Sequence, residues 1–378
     1  MDPDRSLIRR LGAEMTVEQA LNRDLDRWHV PEALVAFARG RTAPGGSIVR
    51  VTAGGPVCAS DRLGDVARAF EADAAEAGED VAWFGADAQV RDTITPSAAL
   101  VVGAQPLWTP TRWPAILASK ASLRAQINRA RNKGLAVEHW DREQAGASPQ
   151  LHRLLGEWLA HRGMLKLHFL AEPDVLDALG DREVFVAMRG TEAVAYLLLS
   201  PVPARHGWLV EWIIQGESAP NGTASLLLDA AFRYAIDTEA AVVSLGLVPL
   251  ASHAPLSASA PPPHVRALLA WMRAHAERFY GFRGLEQFKT KFQPDRWEPV
   301  YLLTNEPRVS LRLLHAVADV FAGPRSPEAL VSLALLGAVR SEARTAARWV
   351  SSRGTRTSRA SPGPPAARSG GAATRGTG

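Results

Sequence analysis

The order of elements between Glu183 and Leu303 narrows the possible folds more than any other feature of the chain. Three apolar runs follow one another without a helix between them: Glu183–Met188, Ala193–Ser200 and Trp208–Gln215. Each is rich in Val, Ile, Leu or aromatic residues, as strands are. Helix periodicity then takes over at Thr223–Ile236, a strand returns at Ala241–Leu245, and helices are expected over Val265–Phe279 and near Leu285–Lys291. A last strand, Glu298–Leu303, closes the half. Strands in succession followed by alternation of helix and strand predict a mixed sheet covered by helices, an α/β unit.

The first half reads the same way with weaker signals. Met1–Val30 spaces Leu7, Leu11, Met15, Leu21, Leu25 and Trp28 as entry helices do. Ile48–Val51, Val81–Phe84, Ala98–Val102 and Leu135–His139 are strand candidates, and Asp61–Gly78 and Ser119–Asn132 are helix candidates. Ser148–Arg162 carries Leu151, Leu154, Leu155 and Trp158 on one face and reads as a connecting helix. The expected organisation is N-terminal helices over residues 1–40, a first α/β domain over 41–147, a linker helix over 148–175, a second domain over 176–305, amphipathic helices over 306–350 and a basic tail over 351–378. That tail is rich in Gly, Ser, Pro and Arg and has no acidic or aromatic residue, so it is expected to be disordered.

Composition excludes several classes. With 47% hydrophobic residues the chain buries real cores, so wholesale disorder is out. A single cysteine, Cys58, forms no internal disulfide and fits a reducing, cytoplasmic setting. No Cys/His grouping has zinc spacing, so no metal is expected. The N-terminus lacks a signal core, and the apolar run Ala329–Val339 falls well short of the ~20 residues a spanning helix needs. A net charge of +4 is mild, so an anionic partner must be met by local patches.

Four stretches carry candidate chemistry. Arg112–Gly134 contains Arg112, Lys120, Arg124, Arg129, Arg131 and Lys133 without one carboxylate; Lys120, Arg124, Asn128 and Arg131 share a face at helical spacing, which suits phosphate or is a solvated helix surface. Ser218–Ala224 opens a helix straight after a strand, so Asn221, Gly222 and Thr223 form either an anion-binding turn, with Thr223 as cap, or a plain structural one. In Trp208–Gln215 one carboxylate, Glu211, interrupts an apolar strand. Strict alternation places Leu209, Glu211 and Ile213 on one face and Val210, Trp212 and Ile214 on the other. Glu211 then either meets a cation or serves as a base or ammonium anchor. Phe279–Pro299 interleaves Tyr280, Phe282, Phe288, Phe292 and Trp297 with Arg283, Lys289, Lys291 and Arg296; it is an aromatic minicore or a pocket in which a cation meets an anion. Lys289 and Lys291, two apart on a helix, diverge.

These blocks, in order, resemble a known family. SLRAQINRARNKG (122–134), SAPNGTASLLLDAAFRYA (218–235), SLGLVPLA (244–251) and FYGFRGLEQFKTKFQPDRWEPVYL (279–302) are similar to the cytosolic catalytic domain of phosphatidylglycerol lysyltransferases, the multiple peptide resistance factors, over roughly residues 40–305. The resemblance implies two tandem GNAT-like acyltransferase folds and transfer of an amino acid from aminoacyl-tRNA to the hydroxyl of phosphatidylglycerol. It implies peripheral contact with an anionic membrane surface, and no cofactor other than the aminoacyl-tRNA co-substrate. Carried over by position, the family has an acidic residue where Glu211 stands, the small-residue turn at Asn221-Gly222-Thr223 and a lysine within the FKTKF block. Catalytic roles are accordingly expected of Glu211, Lys289 and Lys291, and substrate binding of Asn221, Gly222, Thr223, Tyr280 and Arg283. Lys120, Arg124, Asn128 and Arg131 would then meet tRNA or phosphate. Ile214 stands where the family often has Arg. The rival readings are an acyl-CoA-dependent GNAT enzyme and an inactive tRNA- or lipid-binding module.

Overall fold

The computed structural model describes residues 2–161, 167–253, 263 and 282–324. In chain order its helices are α1 (Pro3–Leu11), α2 (Leu63–Glu76), α3 (Ala88–Ile94), α4 (Trp113–Ser119), α5 (Ala121–Asn132), α6 (Arg142–Gly146), α7 (Pro149–His161), α8 (Thr223–Asp237), α9 (Phe282–Thr290) and α10 (Leu311–Ala322). Its strands are β1 (Asp26–Val30), β2 (Ala33–Arg41), β3 (Ile48–Ala53), β4 (Asp80–Ala86), β5 (Ala98–Trp108), β6 (Leu135–Trp140), β7 (Glu183–Arg189), β8 (Glu192–Val202), β9 (Gly207–Gln215), β10 (Val242–Ser244), β11 (Val248–Pro249) and β12 (Arg296–Thr304). The helix expected over Val265–Phe279, the helix within 327–349 and the tail lie outside the described residues.

All described strands join one mixed sheet in the order β1-β2-β3-β4-β12-β5-β10-β9-β8-β7-β6, with β11 alongside β5. Each half repeats one motif. In the first, β2 and β3 are antiparallel and β3 crosses through α2 to a parallel β4. In the second, β8 and β9 are antiparallel and β9 crosses through α8 to a parallel β10. Both faces of each half are covered, which is why its strands read as continuous apolar runs. On β8, Ala195, Leu197 and Leu199 pack under α4, α5 and α8, while Tyr196 and Leu198 pack towards α7. On β2, Leu34 and Ala36 face α1 and α10, while Val35 and Phe37 face α2.

The halves exchange strands, so the cut expected near residue 147 does not follow the packing. The strand β12, expected in the second half, inserts between β4 and β5 and pairs with both. The segment carrying α4, α5 and β6, expected in the first half, packs with the second: β6 pairs β7, and Leu123, Ile127 and Ala130 of α5 share a core with Leu226 and Phe232 of α8. The reason is hydrophobic. The α5 stripe matches α8, and the apolar end of β12 (Val300–Leu303) needs both of its neighbours to be buried.

Residues 26–40, expected as part of the N-terminal helices, belong instead to the β1–β2 hairpin. Pro31 and a left-handed Glu32 (φ 59°) turn the chain, and Val35 and Phe37 then alternate with Leu34 and Ala36. The helix expected over Ser119–Asn132 breaks at Lys120, which sits in a non-helical conformation between α4 and α5. Asp61 lies in a single 3-10 turn ahead of α2 and does not cap it.

Candidate functional site at the divided end of strand β9

Strands β9 and β10 pair only over Gly207–Leu209 and Val242–Ser244. Beyond Ser244 the chain leaves the sheet, passes Gly246 (φ 75°) and joins β5 as β11. From Val210 onward the outer edge of β9 therefore pairs with no described strand. A parallel sheet that divides in this way forms a crevice at the strands' C-terminal ends, where α/β proteins bind ligands.

At the mouth of this crevice β9 is irregular. Leu198 of β8 faces Trp212 and Leu199 faces Val210, so Glu211 is the extra residue of a β-bulge. The alternation expected from the sequence is therefore broken. Val210 and Ile213 join the core under α8, while Trp212 and Ile214 join the core against α7. Glu211 meets a cation: Arg182, at the start of β7, donates from Nε (2.6 Å) and Nη2 (3.1 Å). Ser200 donates to the same carboxylate, and Gln19 donates from 3.2 Å. Burial alone would push the Glu211 carboxyl up, but the Arg182 guanidinium and these hydrogen bonds hold it below the usual carboxylate range. Ile214 is fully buried core, and the cation beside Glu211 comes from Arg182, the residue just before β7.

The two lysines diverge, as their spacing predicts. Lys289 is buried and donates to the carbonyls of Gly246 (2.9 Å) and Leu247 (3.1 Å), the loop that leaves β10. Burial pushes its ammonium down to about 7. Lys291 turns to the other side, towards the start of α8. Its Nζ lies 3.0 Å from Gln126 Oε1 of α5 and 3.4 Å from Ser225 Oγ, and 4.6 Å from the ring centres of Phe288 and Phe292. Burial lowers its pKa too. Three of the sequence blocks thus meet at one place: the basic helix, the glycine turn and the aromatic–lysine segment.

The turn departs from the expectation in its cap and not in the close approach at its glycine. Gly222 (φ 102°) is the N-cap residue of α8 and lets that helix approach α5; a Cβ there would lie 2.1 Å from the Gln126 carbonyl oxygen. Thr223 is buried and donates to the Pro220 carbonyl (2.6 Å), so it does not cap the helix through its side chain. Asn221 is exposed.

The basic face is only partly free. Arg131 pairs at 2.9 Å with Asp229 of α8, a buried carboxylate that also takes the Trp113 indole N–H (2.9 Å) and Arg233 (3.2 Å). Arg124 folds back onto the carbonyls of Leu117 and Ala118 at the end of α4. Arg112 pairs with Asp295. Asn128, Arg129 and Lys133 are exposed, Lys120 is half-buried, and among the described residues no ion pair engages Lys120, Arg129 or Lys133. Tyr280 lies outside the described residues; Arg283 lies on α9.

Sequence reasoning missed Arg182, Gln19, Ser200, Gln126 and Ser225. A lone arginine at the head of the apolar run Glu183–Met188 was the one available signal for a buried cation.

The family model described as phosphatidylglycerol lysyltransferase, C-terminal, matches residues 8–304. The chain belongs to that family. Its members are transferases, and the match takes in both halves of the sheet and the N-terminal segment that carries Gln19. Among solved structures it is similar to the C-terminal domain of a chain from Agrobacterium fabrum named as a lysylphosphatidylglycerol synthetase (20% identity, TM-score 0.70, covering 85% of this chain and 98% of that one). It is also similar to L-PGS from Bacillus licheniformis (19% identity, TM-score 0.66, 89% and 96% covered). FemX is more distant, with 10% identity, TM-score 0.51, and 80% and 96% covered. At such identities these likenesses show the shared fold. Among curated proteins none matches. Among the described residues no helix is long and apolar enough to cross a membrane.

Proposed function

We propose that this protein transfers an aminoacyl group from aminoacyl-tRNA to the hydroxyl of an anionic phospholipid such as phosphatidylglycerol. The observation that carries the reading, beside the family, is Lys291: a cation held by neutral partners at the N-terminus of α8, with an uncapped first turn beside it. Helix-terminal N–H groups and an ammonium together suit a phosphate.

In the reaction, the lipid hydroxyl oxygen forms a bond to the ester carbonyl carbon of the charged tRNA. The bond from that carbon to the ribose oxygen breaks, and the hydroxyl proton passes to the ribose oxygen. The ester is already activated, so positioning supplies much of the rate; held geometry is worth roughly 7–11 kcal/mol at best. Lys291 holds a phosphate, and the exposed cations Arg129 and Lys133, with Lys120, meet the tRNA backbone. Lys289 holds the loop that leaves β10, through the Gly246 and Leu247 carbonyls, and so shapes the wall of the crevice.

The test incubates purified protein with radiolabelled aminoacyl-tRNA and phosphatidylglycerol vesicles, then separates the organic phase. Label is expected there, and Lys291→Met is expected to lower its rate by at least about tenfold. No label in lipid from any aminoacyl-tRNA refutes the reading, and label lost only on adding acetyl-CoA turns it towards an acyl-CoA enzyme.

A further inference from the structure

Glu211 invites assignment as a substrate ligand because it is an acid in an apolar strand beside a crevice. Its surroundings argue otherwise. Each carboxylate oxygen already accepts two donors: Oε2 from Arg182 Nε and Ser200 Oγ, and Oε1 from Arg182 Nη2 and Gln19 Nε2. A carboxylate offers about four lone-pair sites, so none remains for a substrate ammonium. The side chain is 0% exposed. The residue as a whole is nevertheless part-exposed, so what is accessible at position 211 is its main chain.

The donors come from three places that the chain must bring together. Ser200 is on β8, Arg182 opens β7, and Gln19 sits in a short 3-10 turn, Val17–Leu21, far upstream. That turn is itself anchored to the start of β7: Glu18 accepts the Asp181 N–H (2.9 Å), and Arg9 of α1 makes two 2.5 Å bonds to the Asp181 carboxylate. Asn22 Oδ1 takes a further, longer contact from Arg182 (3.4 Å). An N-terminal strap thus fastens the bulge from outside the half to which β9 belongs.

We infer that Glu211 is a positioning residue, with Arg182, Ser200 and Gln19, and that it reaches the reaction only through the β9 bulge it locks, which leaves the main chain at 211 accessible at the crevice. Bulges re-aim strands next to active sites, and a buried carboxylate whose acceptor sites are all filled, as those of Glu211 are, holds one geometry. The kinetic part of this inference rests on the aminoacyl-transfer reading above.

The experiment measures kinetics and amide hydrogen exchange on the full chain for Glu211→Met, Arg182→Met and the double variant, with Ser200→Ala and Gln19→Leu beside them. Each charged single variant strands a buried charge, whereas the double variant removes both charges of the pair and leaves Glu18, 3.9 Å from the Arg182 guanidinium in the wild type, on its Asp181 N–H bond. Either single is expected to lower kcat about a hundredfold, with KM for aminoacyl-tRNA within about twofold. Each is also expected to speed exchange of the 210–214 amides about tenfold or more. The double variant is expected to restore both towards wild type. Were either charged variant to fail to fold, Ser200→Ala and Gln19→Leu carry the test, each with a several-fold kcat loss and faster exchange over 210–214.

The inference is overturned if Arg182→Met behaves as wild type while Glu211→Met is inactive, if KM carries the loss, or if exchange over 210–214 is unaltered in the variants that fold. A wild-type protein that transfers no label refutes the transfer reading alone, and the exchange measurement still decides the role of Glu211.

Discussion

Glu14 should make this protein less stable as pH rises, and a single amide substitution should abolish that slope. The residue lies between α1 and the first 3-10 turn, half-buried, with its carboxyl at the C-terminal end of the β3–β4 pair. It accepts the Gly55 N–H and, at 3.1 Å, the Asp87 N–H. Those bonds favour the anion, but burial and the Asp87 charge outweigh them and push the carboxyl up to about 8. In the unfolded chain it ionises near 4.5. Between these values the native state holds a proton that the unfolded chain has lost, so stability falls with rising pH and levels off above about 8. Each pH unit inside the window costs about 1.4 kcal/mol. From pH 5.5 to 8 the loss is therefore on the order of 3 kcal/mol.

Glu14→Gln removes the titration and keeps the shape. Its amide carbonyl still accepts one backbone N–H, and the other loses its acceptor, a pH-independent cost of about 1–3 kcal/mol. The readout is therefore the slope rather than the offset. Urea unfolding of both proteins at pH 5.5 and pH 8.0 should show the variant gaining about 3 kcal/mol on wild type across that interval. Parallel pH profiles would refute the placement of a protonated carboxyl at this position.

Two further outcomes follow from geometry already described. Gly222→Ala forces a Cβ onto the Gln126 carbonyl in a backbone conformation L-residues avoid, and urea titration should show a loss of more than about 2 kcal/mol. Lys289→Met removes a buried ammonium whose pKa falls from 10.5 to about 7, so wild-type stability rises as pH climbs through that window. The loss of the Gly246 and Leu247 hydrogen bonds is a pH-independent offset, so the readout is the slope: the variant should stand best against wild type near pH 7 and lose ground towards pH 10, and a constant difference would refute a desolvated Lys289.

The second half of the fold was legible because its strands are long, apolar and consecutive. The β7–β9 run and α8 stand within three residues of where periodicity puts them. The hairpin at 26–41 was not legible, because Leu25 and Trp28 continue a spacing that helices share. Partnerships across the chain were illegible for a different reason. The run 112–134 has no acid of its own, and the carboxylates that pair with Arg131 and Arg112 arrive from positions 229 and 295. Periodicity reports which face of an element is apolar, and says nothing about which distant charge will sit beside it. The bulge escaped for the same reason: an extra residue in β9 is defined by the register of β8, so no window on β9 alone reveals it. The meeting of Lys291, Gln126 and Ser225 was half visible, in that three separate blocks looked chemical before anything brought them together.

The seat of β12 between β4 and β5 has a consequence for how this molecule can come into being. As the polypeptide emerges from the ribosome, β4 and β5 must wait for a segment synthesised nearly two hundred residues later before their edges are filled. A nascent chain halted at the middle would therefore carry one edge of β4 and both edges of β5 without their native partners, and dissecting the protein into two separately expressed halves should yield material that associates or precipitates.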